Sequence, residues 1–352
     1  MGSAPARCWP HHCQINTYID LLSVYLIGVG SFSDEVVVVG AGVTGLTTAV
    51  HLAENGLSVV VYSRDRPGET TSCAAAAFWG PHMVDDDRAK RWGLFTLERL
   101  IELAARPGTG VEMLWGVEAE RVPGLPSGYL SWLPDVQDCG PRELPDGFRR
   151  GWRYETPVVE MPEYLSHLEE RFRLAGGRIE IAEVASLSEL ADTAAVIVNC
   201  AGHGAGVLAS DGELEAVRGE IVVVEMPGLS EFFIELDDGS NELTYFVPQG
   251  DRVVLGGTWY PGRADTAVDW SAAREIVRRC ARIEPRLSDA KILDVRVGIR
   301  PVRSKVRLER VDLDGAIVIH NYGHGGGGVG LSWGCARDAF ELVTAKAPVG
   351  GA

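Results

Sequence analysis

Val36-Val-Val-Val-Gly40-Ala-Gly42-Val-Thr-Gly45-Leu-Thr-Thr-Ala-Val-His-Leu-Ala-Glu-Asn-Gly56 is the stretch that decides the fold. Four consecutive β-branched residues read as a buried strand, because a continuous apolar run needs cover on both faces of a sheet. The stretch from Leu46 to Asn55 reads as a helix closed by Gly56 at its C′ position. Leu57 to Tyr62 then reads as a second apolar strand, completing one β-α-β unit. Gly40, Gly42 and Gly45 fall between strand and helix in G-x-G-x-x-G spacing. The first glycine permits the tight turn, the second lets a pyrophosphate approach the backbone, and the third lets helix and strand pack closely. The main chain from Gly40 through Ala41, Gly42, Val43 and Thr44 to Gly45 then faces the phosphates with the positive end of the helix. An acidic residue about twenty positions on is expected to bind the ribose hydroxyls; Asp65, preceded by Arg64, stands there. The pattern predicts dinucleotide binding and leaves the choice between nicotinamide and flavin open.

Outside this unit, composition narrows the classes of function. The 352 residues exceed one compact core of ordinary size and fit two lobes. A formal net charge of -16 repels phosphate backbones and anionic headgroups, which argues against nucleic-acid and membrane partners. A small anionic substrate then needs its own local cation. Seven cysteines, an odd number without paired zinc spacings, point to reduced thiols in the cytoplasm and to no metal centre. Residues 1–33 read as a disordered leader: the apolar run from Leu21 to Val29 is too short to span a membrane, and the lone Arg7 makes a poor signal-peptide start.

Residues 79 to 152 show no clean period, hold five of the nine tryptophans, and read as an insertion packed against something else. A helix is expected from Pro162 to Leu174, stopped by Gly176-Gly177, then a short strand from Arg178 to Val184 and a buried strand from Ala194 to Cys200. Residues 217 to 260 alternate apolar and polar, with turn residues at Asp237-Asp238-Gly239 and Gln249-Gly250, as an antiparallel meander does. A helix from Ser271 to Ile283, a strand at Val295 to Val297 and a turn at Gly298-Ile-Arg-Pro-Val-Arg303 follow. The chain closes with a strand from Ala316 to His320, a loop with six glycines in residues 321 to 331, and a helix from Leu331 to Ala345.

Three segments carry a resemblance. They are Thr70-Thr-Ser72 with Ala75-Ala-Ala-Phe78-Trp79-Gly-Pro81; Gly298-Ile-Arg300-Pro-Val-Arg303; and His320-Asn-Tyr-Gly-His324-Gly-Gly-Gly with Trp333-Gly-Cys-Ala336. Val198-Asn-Cys-Ala-Gly202 and Thr244-Tyr245-Phe-Val-Pro248 fall in the same order. Over residues 35 to 345 the chain resembles the D-amino-acid oxidase family. The resemblance implies an α/β fold with a Rossmann-type FAD-binding lobe built from discontinuous segments, 34–80, 153–220 and 298–346. Beside it stands a substrate lobe with a curved antiparallel sheet, 81–152 and 221–297. It implies FAD as cofactor, held by Gly40 to Gly45, Arg64, Asp65, Thr70, Thr71, Ser72, Ala76, Ala77, Phe78, Val184, Ala201, Gly202, Arg300, Gly325, Gly326, Gly327, Gly328, Val329 and Gly330. The bare loop would let main chain lie against the flavin ring without a Cβ in the way.

The implied activity is oxidation of neutral or basic D-amino acids. The Cα hydride passes to FAD N5, O2 reoxidises the flavin to give H2O2, and the imino acid hydrolyses to a 2-oxo acid and ammonia. Arg300 falls on the family's carboxylate-binding arginine. A guanidinium supplies the planar, permanently charged, two-pronged donor that a carboxylate requires. By the same resemblance Tyr245 also touches the carboxylate, Phe78 and Val247 line the side-chain pocket, and the Gly326 carbonyl receives the amino group. The family uses no side-chain acid or base, so His324 is expected to be non-catalytic. Two departures stand out: Gly330 replaces a threonine that binds the flavin O2 in some members, and the segment from Glu235 to Tyr245 is too short for the long lid of some relatives. D-aspartate oxidase is the nearest rival, but the positions of its extra arginines correspond to Glu235 and Trp259 here. A non-catalytic flavin-binding protein would keep the glycines and tolerate loss of Arg300. The implied partners are a D-amino acid and O2, with a homodimer as the candidate assembly.

Overall fold

The computed structural model describes residues 33–81, 86–122, 127–236 and 242–345. Residues 1–32 of the expected leader and residues 237–241 of the short connection lie outside them, whereas Ser33, assigned above to the leader, opens the first strand.

The chain begins with β1 (Ser33–Val39), α1 (Val43–Glu54) and β2 (Val59–Ser63). The stretch expected to be irregular instead holds β3 (Ala77–Phe78), α2 (Ala89–Ala104), β4 (Val111–Glu120), β5 (Gln137–Asp138) and β6 (Arg150–Val159). Next come α3 (Met161–Leu174), β7 (Arg178–Ile181), α4 (Leu187–Ala191), β8 (Ala194–Asn199) and α5 (Ala205–Leu208). The meander is β9 (Glu215–Glu225), β10 (Phe232–Glu235), β11 (Glu242–Gln249), β12 (Arg252–Thr258) and β13 (Tyr260–Pro261). The chain closes with α6 (Trp270–Ile283), β14 (Ile292–Leu313), β15 (Ala316–His324) and α7 (Gly328–Thr344).

These strands join one 15-stranded sheet whose main path runs β3-β6-β4-β10-β11-β12-β9-β14-β15-β8-β1-β2-β7. The end from β15 through β8, β1 and β2 to β7 is parallel throughout. Burial on both faces explains the run of valines in β1. Val36 and Val38 pack with Leu46 and Val50 of α1, while Val37 and Val39 pack with Leu187 of α4 and Ile197 of β8. From β9 to β10 the pairing is antiparallel, and α6 covers one face of that region through Ala273, Ile276 and Cys280.

Three expectations about elements need correction. Gly298-Ile-Arg-Pro-Val-Arg303 is no turn; it lies inside β14, a single strand of 22 residues. Its Gly and Pro are turn-formers in isolation, but here the segment pairs with β9 across Gly298↔Gly219 and Arg300↔Val217, and β14 continues to pair with β15. Tertiary pairing overrides local preference. The second correction concerns α2, which buries Ala89, Trp92, Leu97, Leu100 and Leu103 at helical spacing with the small Gly93 and Thr96 set among them. Gly93 and Thr96 are buried, the Trp79 indole donates to the Gly93 carbonyl at 2.9 Å, and Gly334 of α7 lies so close that a Cβ there would stand 2.3 Å from Trp92 Cα. The closing helix also starts earlier than expected, at Gly328, so Gly328 to Gly330 form its first turn rather than loop.

Candidate active site

The carboxyl ends of β1 and β8 open into a cleft of ≈ 1350 Å³. At its inner wall the main chain turns sharply at Gly40, whose φ of +105° disfavours any residue with a Cβ, and a Cβ there would stand 2.5 Å from the Cys200 carbonyl oxygen. A Cβ at Gly45 would lie 1.9 Å from the Gly40 oxygen, so this glycine lets α1 settle on β1. Polar side chains brace the turn. Ala41 N–H donates to Ser63 Oγ at 3.2 Å and Val43 N–H to Ser72 Oγ at 2.9 Å. Beyond β2, Asp65 and Arg64 form a partly exposed ion pair at 2.7 Å on the cleft wall. A glycine turn with no space for side chains, opening on a long cleft from the positive end of a twelve-residue helix, fits the pyrophosphate of FAD.

The cleft brings most of the expected residues together. Gly40, Ala41, Gly42, Val43, Thr44, Arg64, Asp65, Thr70, Thr71, Ser72, Ala76, Ala77, Phe78, Val184, Ala201 and Gly202 line it. From the second half of the chain Tyr245, Arg300, Gly325, Gly326, Gly328, Val329 and Gly330 do the same. Gly45 and Gly327 are not among the lining residues; Gly45 serves helix packing, and Gly327 is the N-cap of α7. Val247 needs a correction, since it is fully buried in the main apolar core and does not reach the cleft. Two residues beyond Tyr245 on β11, it shares that residue's face but is covered by packing.

Arg300 is the electrostatic centre of the far wall. It projects from β14 into space that β9 leaves open at Gly219, where a Cβ would stand 2.2 Å from Arg300 Nη1. Among the described residues the guanidinium makes one hydrogen bond, from Nη1 to the Thr258 carbonyl oxygen at 3.0 Å, and lies 5.0 Å from the centre of the Trp259 ring. No carboxylate pairs with it among the described residues, and desolvation pulls its pKa below the usual arginine value. Tyr245 stands beside it, its phenol pKa raised by burial while the Arg300 charge works in the opposite direction. Gly256 makes the room for that ring: a Cβ there would fall 1.8 Å from Tyr245 Cζ.

The remaining wall carries Phe78, Ile234, Leu236 and Leu243 with Glu120, Arg121 and Glu235. Phe78 stacks on Phe232 with ring centroids 6.2 Å apart. Glu235 accepts from Arg121 Nε at 2.6 Å, and the Arg121 guanidinium lies 4.0 Å from the Phe148 ring centre, so this cation is already engaged. His324 lines the cleft, but its side chain is buried, its Nε2 has no partner among the described residues, and burial lowers its pKa to about 4. It is therefore neutral at ordinary pH.

Gly219 was not singled out in the sequence, although a glycine inside a strand pattern signals close approach of another group. The sequence offers no comparable sign that Trp259 stacks on Arg300, because that contact depends on β9, β12 and β14 meeting in space.

A parallel sheet with a glycine turn at its carboxyl edge, feeding a long cleft, defines a dinucleotide-binding protein. The family described as FAD dependent oxidoreductase, DAO, matches residues 35–342. A D-amino-acid oxidase of Rubrobacter xylanophilus is 45% identical over 313 residues, covering 88% of this chain and 95% of that protein. A D-amino-acid oxidase of Streptomyces coelicolor is 44% identical over 314 residues, covering 88% and 97% respectively. Among solved structures, glycine oxidase from Geobacillus kaustophilus shares the fold with a TM-score of 0.74 at 20% identity, over 90% of this chain and 96% of that one. The chain belongs to the DAO family of FAD-dependent oxidoreductases, and its cofactor is FAD. None of its described helices is long and apolar enough to cross a membrane.

Proposed function

We propose that the protein is a D-amino-acid oxidase acting on neutral or basic D-amino acids. The observation that carries this reading is Arg300: a desolvated guanidinium on the cleft wall, with one backbone hydrogen bond and no carboxylate partner among the described residues. Leaving a charge buried and uncompensated is costly, so such a site favours an incoming anion. In a protein of net charge -16 the local cation is also what lets an amino-acid carboxylate approach.

In this reading Arg300 and Tyr245 hold the carboxylate, the Gly326 carbonyl accepts from the amino group, and the side chain lies toward Phe78, Ile234 and Leu236. Three fixed attachments to one carbon decide which hand of the substrate turns its Cα–H toward the cofactor. Orientation of this kind supplies several kcal/mol without a side-chain acid or base, in keeping with a neutral, buried His324. FAD, when bound, accepts the hydride and passes the electrons to O2. The imino acid released then hydrolyses to a 2-oxo acid and ammonia.

The segments 34–80, 153–220 and 298–346 form the FAD-binding lobe in this reading, and 81–152 with 221–297 the substrate lobe. We place the protein in the cytoplasm, where the five described cysteines, all unpaired, would stay reduced.

A D-aspartate oxidase would need a second cation for the side-chain carboxylate. The candidate on the wall is Arg121, which Glu235 neutralises, while Trp259 is uncharged. A peroxide assay over D- and L-amino acids tests the proposal. Turnover of D-alanine and D-lysine, none of the L-enantiomers, and poor turnover of D-aspartate is the expected result; D-aspartate as the best substrate would overturn the pocket assignment.

A further inference from the structure

Trp259 follows directly on Thr258, whose carbonyl oxygen accepts the one hydrogen bond that Arg300 makes among the described residues. Its indole is half-buried, lines the cleft, and has its ring centre 5.0 Å from Arg300 Cζ. The guanidinium is thus bordered by the bare β9 backbone at Gly219, by a main-chain carbonyl and by an aromatic ring, with Tyr245 the other side chain whose charge state responds to it.

This choice of neighbours is unlike that of the other buried arginine on the adjacent strand. Arg218 is fully buried and ion-paired with Glu220 at 2.7 Å, and it also donates to the carbonyl oxygens of Asp265 and Ala267. An acid beside Arg300 would likewise offset its desolvation, but would occupy the N–H edge that an incoming carboxylate needs. An aromatic ring attracts the cation through its quadrupole and offers no oxygen to compete for those N–H groups. The ring also limits the rotamers of a long, flexible side chain whose ordering otherwise costs entropy on binding.

We propose that Trp259 is a positioning residue for Arg300. It steadies the guanidinium by stacking while leaving the N–H edge available, and so sets the affinity for the substrate carboxylate. The inference rests on the reading of Arg300 given above. Trp259 itself donates nothing to the substrate in this role, so the effect of replacing it falls on binding and hardly on the hydride step.

The test uses the FAD-loaded protein and its W259F, W259L, W259M and R300A variants. KM and kcat are measured for D-alanine, and the dissociation constant of benzoate, a carboxylate without an amino group, is read from the flavin's visible spectrum. W259L and W259M should raise both KM and the benzoate dissociation constant about tenfold, with kcat within about twofold of the parent and flavin content unchanged. W259F, which keeps a π face, should stay within about threefold. W259M decides the outcome should W259L fail to retain FAD. Unchanged benzoate binding in W259L and W259M, with R300A weakened, overturns this inference alone. Equal impairment of W259F and W259L also overturns it, because bulk rather than the aromatic face would then matter. Full benzoate affinity in R300A overturns the reading of Arg300 and this inference together.

Discussion

A Cβ at position 219 would stand 2.2 Å from Arg300 Nη1, nearer than any real contact, and 2.5 Å from Cζ. The only ways to accommodate it are a shift of β9 or a turn of the guanidinium away from its place. The clashing atoms are the far end of a flexible side chain, so the guanidinium gives way, and a lost hydrogen bond to a charged group is worth about 1.5–3 kcal/mol, or roughly 10- to 150-fold in an equilibrium constant. G219A should therefore hold its flavin, since the added Cβ meets Arg300 and not the Gly40 turn, and yet show a KM for D-alanine raised by an amount in that range. An unchanged KM would mean that the placement of Arg300 is not what binds the substrate. Single residues of this site differ in how readable they are. Gly40, Asp65 and Arg300 could be named because each sits in a local motif that carries its own chemistry. Gly219 and Trp259 could not be singled out, because the contact each makes is with a side chain of another strand, Arg300. Val247 shows the converse error, since its place in the order of residues is right for the pocket but its packing is that of the core.

Among the elements, those with a strong internal period were legible: the β1-α1-β2 unit, α3 and α6 lie within a few residues of their expected bounds. β14 and α2 were not. The former carries Gly and Pro in a segment that only pairing with β9 makes extended, and the latter buries Trp92, Leu97, Leu100 and Leu103 on one face, a stripe interrupted by the small Gly93 and Thr96. β15 adds a feature with a measurable consequence. It carries His320 and His324, both with pKa lowered from 6.5 to about 4, chiefly by desolvation. Asp86 is the charged group that acts on His324, whereas Arg307, Glu309 and Asp211 act on His320. Between those two values the unfolded chain binds protons that the native state refuses. Stability is thus complete above about pH 6.5 and falls on acidification until about pH 4. For the fully enclosed His324 the loss amounts to at most about 3 kcal/mol. Urea unfolding followed from neutral pH to about pH 4.5 should show this decline, and H324Q should flatten it. Identical slopes in the two proteins would contradict the assignment.

For the molecule as a whole, one sheet runs from a parallel, doubly covered end into a largely antiparallel one, and the cleft is walled by both regions. The nucleotide half of that wall was legible because a glycine turn has few other uses. The other half is built from residues converging from β4, β9, β10, β11 and β14, which one-dimensional pattern cannot bring together. A net charge of -16 spread over the chain gives the single desolvated guanidinium of this wall its leverage, since an anionic substrate meets repulsion until it reaches Arg300. The most direct measurement is anaerobic reduction of the bound flavin by D-alanine and by L-alanine, in the parent protein and in R300A. D-alanine should bleach the parent's visible absorption and L-alanine should not. R300A should retain its flavin but lose about 2–5 kcal/mol of binding, roughly 30-fold to several thousand-fold in specificity constant. Bleaching of R300A at the parent's D-alanine concentrations and rates, or equal bleaching by both enantiomers, would contradict the role assigned to Arg300.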